Sequence, residues 1–196
     1  ALRRVFPPTA GRHVVGPMVQ LRWGSPTLLT LDLALLVELP SPVRVVVLGR
    51  LQVLLPNQTH PLIQIRMDAL GVLDVSAETV ALDATLYDSR ILQFTLTGDM
   101  ALRAGWGRQP QFILAIGGFH PRFAPPPGLP VLQRLALQLA DGDSLQLRCQ
   151  AYLAVTSNTV QFGARVDLHA AGGGFSFDGM LGFDAIIQLA PLAFEV

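Results

Sequence analysis

Leu29-Thr30-Leu31-Asp32-Leu33-Ala34-Leu35-Leu36-Val37-Glu38-Leu39 puts an apolar side chain at every odd position, with Thr30, Asp32, Ala34, Leu36 and Glu38 at the even ones. Successive side chains of an extended strand point to opposite faces, whereas a helix gathers residues three and four apart. The spacing therefore predicts a β-strand with one apolar face. After a turn at Pro40 to Pro42 the pattern resumes as Val43, Val45, Val47, Leu51, Val53 and Leu55, with Arg44, Arg50 and Gln52 opposite. The two segments read as an antiparallel hairpin.

The same alternation runs outward from that hairpin. Pro56-Asn57-Gln58-Thr59-His60-Pro61 concentrates turn formers and predicts a second hairpin into Ile63, Ile65, Met67 and Ala69. Val80, Leu82, Ala84 and Leu86 follow, then Phe94, Leu96, Met100 and Leu102, with Thr95, Thr97, Asp99 and Arg103 facing away. A strand is expected over Gln111 to Phe119, and more at Leu135 to Leu139, Leu145 to Val155, Val160 to Leu168 and Phe175 to Leu189. Asp141-Gly142-Asp143-Ser144, Thr156-Ser157-Asn158-Thr159 and Ala170 to Gly174 are the turns between the later strands. No segment favours helical spacing. The fold class is all-β, with long antiparallel strands in hairpins that form either a sandwich or a curled sheet with a groove, and little or no helix.

His120-Pro121-Arg122-Phe123-Ala124-Pro125-Pro126-Pro127-Gly128-Leu129-Pro130 interrupts the alternation with five prolines, which cannot serve in a central strand. Residues 120–130 are read as an extended connector between β-rich halves at 1–119 and 131–196, the whole being alternatively one continuous domain. Arg66-Met67-Asp68 and Arg165-Val166-Asp167 echo each other, as do the segments from Asp83 to Asp88 and from Asp178 to Asp184, which suggests an internal repeat.

Composition narrows the partners. In 196 residues, 51% are apolar and only 14% charged, so there is much apolar surface to hide. Fourteen arginines balance fourteen acids, no lysine is present, and no net field steers nucleic acid to the chain. Cys149 has no internal partner and shares a face with Leu145, Leu147, Ala151 and Leu153, as a buried structural thiol would. The sequence opens at Ala1 without a signal-peptide pattern and reads as a piece of a larger polypeptide.

Motifs for chemistry are weak. His13, His60, His120 and His169 are not at metal-ligand spacing to one another or to Cys149. Asp141 and Asp143 fall short of the six to eight oxygens Ca²⁺ takes. Gly172-Gly173-Gly174 lacks the lysine and helix of a phosphate loop, and Ser176 sits inside a strand rather than at a nucleophile elbow. Asp83 with Asp88, or Asp178 with Asp184, offers paired carboxylates, but at strand positions suited to solvated edges. No catalytic residue, metal or cofactor is expected.

From Ala115-Ile116-Gly117-Gly118-Phe119-His120-Pro121-Arg122-Phe123-Ala124-Pro125-Pro126-Pro127, through the segment Ala151 to Arg165, to Gly179-Met180-Leu181-Gly182-Phe183-Asp184-Ala185, the chain resembles a group of large uncharacterised bacterial proteins that share a domain of unknown function. The likeness covers about residues 100 to 190. It implies a β-rich region of a longer bacterial protein and supplies no catalytic residues.

Strands with an unbroken apolar face must cover it with a second sheet, close into a barrel, or present it to something apolar. The expected function is a non-enzymatic structural or scaffolding module, joining other domains of a larger parent or further copies of itself. The alternative is a carrier of lipid or another hydrophobic ligand in an apolar β groove. The candidate groove or core face comprises Leu31, Leu33, Leu35, Val45, Val47, Val53, Phe94, Leu96, Leu147, Phe162, Phe177 and Phe183. Apolar residues on the nominally polar face (Val46, Leu48, Leu54, Ile113, Ile186) predict covering on both sides. A membrane β-barrel needs aromatic girdles, which two Trp and two Tyr do not supply.

Overall fold

The computed structural model describes residues 10–39, 44–108 and 110–195. The turn expected at Pro40 to Pro42, and Val43 after it, lie outside the described residues. Elsewhere the alternation becomes extended backbone, except that the strand expected over Gln111 to Phe119 ends at Ile116, where Gly117 and Gly118 take positive φ. β1 (His13–Val15) and β2 (Met18–Trp23) precede the pair β3 (Leu29–Leu39) and β4 (Arg44–Leu55). Next come β5 (Ile63–Asp74), β6 (Thr79–Leu86), β7 (Ser89–Ile91), β8 (Phe94–Thr97), β9 (Asp99–Gly105) and β10 (Gln111–Ile116). After residues 117–134 follow β11 (Leu135–Asp141), β12 (Leu145–Thr156), β13 (Thr159–Gly172), β14 (Phe175–Leu189) and β15 (Leu192–Glu195). No helix occurs among the described residues.

All fifteen strands belong to one antiparallel sheet, and several share a position end to end. β1 and β2 line one edge of β3. β6 and β7 line one edge of β5, and β9 and β8 continue alongside them. β10 and β11 line one edge of β12. Fifteen strands with four such end-to-end pairs occupy eleven positions, in which chain order and spatial order agree. The proline segment is an excursion: the chain leaves at the end of β10 and re-enters the same position as β11.

Between β6 and β7 the register against β5 shifts by one residue, so that Met67 faces Leu86 while Gln64 faces Arg90. An extra residue of this kind leaves backbone groups of the partner strand unpaired. Ser89, 2% exposed, fills the gap: its hydroxyl accepts the Arg66 N–H at 2.9 Å and lies 3.0 Å from the Arg66 carbonyl.

Directly opposed residues in antiparallel strands share a face, so the pairings assign every side chain. Odd-numbered positions of β3, β4 and β5 carry the leucines, valines and isoleucines on one face. The other face carries the charged residues together with a row that crosses the sheet as Ala34, Leu48, Leu70, Asp83, Ala101, Ala115, Ala154 and Gln161.

The sheet forms a single layer. None of the described leucines or phenylalanines is buried. The accessible surface of 12465 Å² exceeds by roughly 3,000 Å² what a compact chain of this mass exposes. The larger apolar residues that are buried, Val46, Ile113 and Tyr152, all lie on the polar face, beside Ala34, Ala101, Ala115, Ala136 and Ala154. The strands form one hydrogen-bonded sheet rather than two packed ones, and buried alanines lie on both faces: Ala34, Ala101, Ala115, Ala136 and Ala154 on the polar one, Ala84 and Ala185 on the apolar one. Cys149 sits on the apolar face as expected, but half-buried rather than buried, because no second layer covers it.

Ionic pairs anchor the ends of the sheet. Asp74 closes β5 by accepting the Ala77 N–H at 2.8 Å and Arg44 Nε at 2.9 Å. The Ala77 N–H foremost, and then Arg44, hold its carboxyl below the ordinary value of 3.8. A carboxylate depressed on folding contributes stability that is fully present above its unfolded pKa and is lost as pH falls through the folded one. Asp74→Asn is expected to lower the urea midpoint at neutral pH, by at most about 1 kcal/mol for a partly screened pair. The difference from wild type should shrink below pH 3.8 and vanish in stronger acid; a gap independent of pH would remove Asp74 as its source.

Candidate functional site

Two recesses open on the polar face of the sheet. The larger, about 880 Å³, crosses the first five positions. Its floor is the row Met18, Ala34, Leu48 and Leu70, each directly opposite the next. The adjoining row, two residues along each strand, is Gln20, Asp32, Arg50, Asp68 and Thr85. Opposed positions force those polar side chains into contact. Gln20 Nε2 donates to Asp32 Oδ1 at 2.6 Å, and Arg50 grips Asp68 through Nε at 2.9 Å and Nη2 at 3.3 Å. Asp68, by hydrogen bond and charge, raises the Arg50 pKa, and the guanidinium also lies 5.8 Å from the Tyr87 ring centre. At the inner end Arg103 holds Asp83 at 2.7 and 3.0 Å.

On the far side of the floor lies Glu38, 1% exposed, with Arg12 Nη1 at 3.2 Å from its Oε1. The groove is thus an apolar strip bordered by paired charges. Such a lining suits an elongated, largely apolar molecule better than an ionic one.

The second recess, about 290 Å³, is made by the proline excursion folding over β12, β13 and β14. Arg134, at the point of return, donates to the carbonyls of Gly117 at 3.0 Å and Phe119 at 2.8 Å. Its guanidinium carbon lies 3.9 Å from the Tyr152 ring centre. The Tyr152 hydroxyl donates to Asp184 Oδ1 at 2.8 Å. Gly163 lies directly between these residues in the sheet, and a Cβ there would meet Tyr152 Cε1 at 2.5 Å, so only glycine admits the ring. The His120 N–H donates to the buried Gln161 side chain at 3.0 Å, and Phe119 stacks on Phe123 with centroids 5.3 Å apart. Pro121, Gln150, Arg165 and Met180 complete the walls.

Burial dominates the electrostatics of this clasp. Burial raises the Tyr152 pKa, with the Asp184 hydrogen bond and charge adding to it, so the phenol is a weaker acid than usual. Burial lowers the Arg134 pKa, opposed by Tyr152 and Asp184. A nucleophile or base needs the opposite shift in a tyrosine. Among the described residues no three His, Cys, Asp or Glu side chains form a metal set. His169 Nδ1 lies 2.6 Å from Asp178 Oδ1 across β13 and β14, while His60 and His120 lie in loops.

The twelve candidate residues named from the sequence share one face, opposite the face on which the recesses open, and of the twelve only Leu33 also lines the larger recess. Leu31, Leu33, Leu35, Val45, Val47 and Val53 cluster on β3 and β4. Phe94 and Leu96 lie mid-sheet. Leu147, Phe162, Phe177 and Phe183 lie on β12, β13 and β14, with Phe162 and Phe183 edge to face at 6.2 Å. Sequence reading missed Met18, Ala34 and Leu70 as groove floor. The available signal was the run of second-face apolar residues, of which Leu48 does line the groove and Val46 is fully buried beside it.

The clasp predicts an ultraviolet titration of the two tyrosines in which one phenol ionises well above the ordinary value of 10.0. Tyr152→Phe should delete that late component and Asp184→Asn should bring it to lower pH; loss of an early component instead would contradict the assignment.

No curated protein matches the chain, and no solved structure does. A family model matches residues 1–196, described as a family of unknown function (DUF6603), and so extends over the first hundred residues as well as the region whose motifs carry the resemblance.

Proposed function

From the premise that the chain belongs to the DUF6603 family, we propose that it is a non-enzymatic scaffolding module that joins assemblies by burying its apolar face. One observation carries this reading: among the described residues no leucine or phenylalanine is buried, although the chain is 51% apolar. Monomeric proteins rarely expose contiguous apolar patches of more than a few hundred Å², and larger ones mark interaction surfaces. A stable interface takes about 800 Å² from each partner, and the apolar face spans all eleven positions of the sheet. Its occupant is another apolar sheet, from a larger parent polypeptide or from a second copy.

Leu35 and Phe162, each 38% exposed, stand on that face in different parts of the sheet. Light scattering of the chromatographed protein should show self-association or capture of the parent's neighbouring domains. Leu35→Ser with Phe162→Ser should weaken it at least tenfold while the β-sheet circular dichroism persists. A wild-type chain that stays monomeric and binds no neighbouring domain would count against the scaffold.

A second reading is favoured by the groove of about 880 Å³ on the opposite face, which falls in the range of about 300–1,000 Å³ typical of small-molecule sites. The carrier proposed from its apolar floor binds lipid or another hydrophobic ligand across β3, β4 and β5, not on the face of the twelve candidates. Native mass spectrometry should then find a bound hydrophobic molecule that Leu48→Arg displaces. An empty groove after incubation with fatty acid or phospholipid would sink this reading.

A further inference from the structure

We infer that β14 is a self-pairing edge, through which two copies of the chain join into one continuous sheet about a two-fold axis at Met180. The inference does not rest on what covers the apolar face. β15 pairs only with Ile186 to Leu189, so among the described residues the edge of β14 from Phe175 to Ala185 has no strand beside it. Leu189 N–H donates to Asn158 O toward the β13 side, which fixes the phase of the strand. Odd-numbered backbone groups of β14 point to β13, and those of Ser176, Asp178, Met180, Gly182 and Asp184 point outward.

Natural sheets defend such edges with proline, charged side chains, lysine above all, or bulges, and the only charges on this stretch are Asp178 and Asp184. Residues 175–185 contain no proline, lysine or arginine, and the register against β13 is unbroken from Thr159 opposite Gln188 to Gly172 opposite Phe175. Phe177, Met180, Leu181 and Phe183 are 52%, 65%, 76% and 52% exposed. The edge is long, regular and apolar, as strand addition requires.

Its sequence fits a second copy of itself. The open stretch from 175 to 185 is centred on residue 180, and antiparallel pairing about that residue sets outward-pointing backbone groups against one another along its whole length. Asp178 then faces Gly182 of the second copy and Asp184 faces Ser176, so no like charges oppose. Phe177 faces Phe183 in a non-hydrogen-bonded pair, where opposed side chains approach most closely. Sliding one hydrogen-bonded step toward the C-terminus would place Asp178 opposite Asp184, and sliding the other way would run into the Gly173-Gly174 turn. The axis stands perpendicular to the sheet, so the two apolar faces fall on the same side and form one surface.

The test is register-specific cross-linking. In a Cys149→Ser background, Met180→Cys brings two thiols to positions about 5.5 Å apart at Cα, within disulfide reach. With dissolved oxygen as the oxidant, Met180→Cys should give at least ten times more covalent dimer than Asp178→Cys or Asp184→Cys, whose counterparts do not face each other. Met180→Pro removes an outward N–H but none directed to β13, and should convert the dimer to monomer with the sheet intact. Equal cross-linking at all three positions, or a wild-type monomer, overturns the inference. So does a dimer that survives Met180→Pro and is lost in the Leu35→Ser, Phe162→Ser protein, a result that leaves the apolar-face scaffold standing.

Discussion

Register between β12, β13 and β14 runs without a shift, Leu145 opposite Ala170 to Val155 opposite Val160, and Thr159 opposite Gln188 to Gly172 opposite Phe175. The same continuity holds through β3, β4 and β5. In a chain whose described leucines and phenylalanines are at best half-buried, this lateral pairing of neighbouring backbones replaces the enclosed core that unites most domains. A slip by one residue would exchange the two faces along the whole strand, which is why the alternation is kept so strictly. Chain order and spatial order agree along the eleven positions, and the sheet needs no long crossover.

The polar face secures that register. Arg50 with Asp68, Arg44 with Asp74, and Arg103 with Asp83 each link neighbouring strands at opposed or adjacent positions. Exposed pairs of this kind contribute little energy singly, but they match in one register and mismatch in the next. The excursion at 117–134 acts likewise from outside the sheet. Arg134, Tyr152 and Asp184 tie it to β12 and β14, and the His120 to Gln161 hydrogen bond ties its outer limb to β13. These same features line the two recesses of the polar face.

Legibility followed the range of the interaction. Strand periodicity is local, so the hairpins at Thr156 to Thr159 and at Asp141 to Ser144, and the common face of Leu31, Val47, Phe94, Leu147 and Phe183, could be read from spacing alone. The groove could not. Ala34, Leu48 and Leu70 are fourteen or more residues apart in sequence and become a floor only when β3, β4 and β5 align. Tyr152, Gly163, Asp184 and Arg134 likewise carry no shared motif; a ring over a glycine needs both strands in place.

The sequence by itself determined the all-β class, the two-faced strands and the proline interruption, because each depends on side-chain alternation or on a missing backbone donor within a few residues. Tertiary structure decided that the excursion returns to the position it left, that the recesses open on the charged side, and that the leucines and phenylalanines remain uncovered. Those outcomes turn on how accumulated twist and small residues such as Ala101, Ala115 and Ala154 let successive strands bend, a sum over the whole sheet that no single stretch of sequence contains.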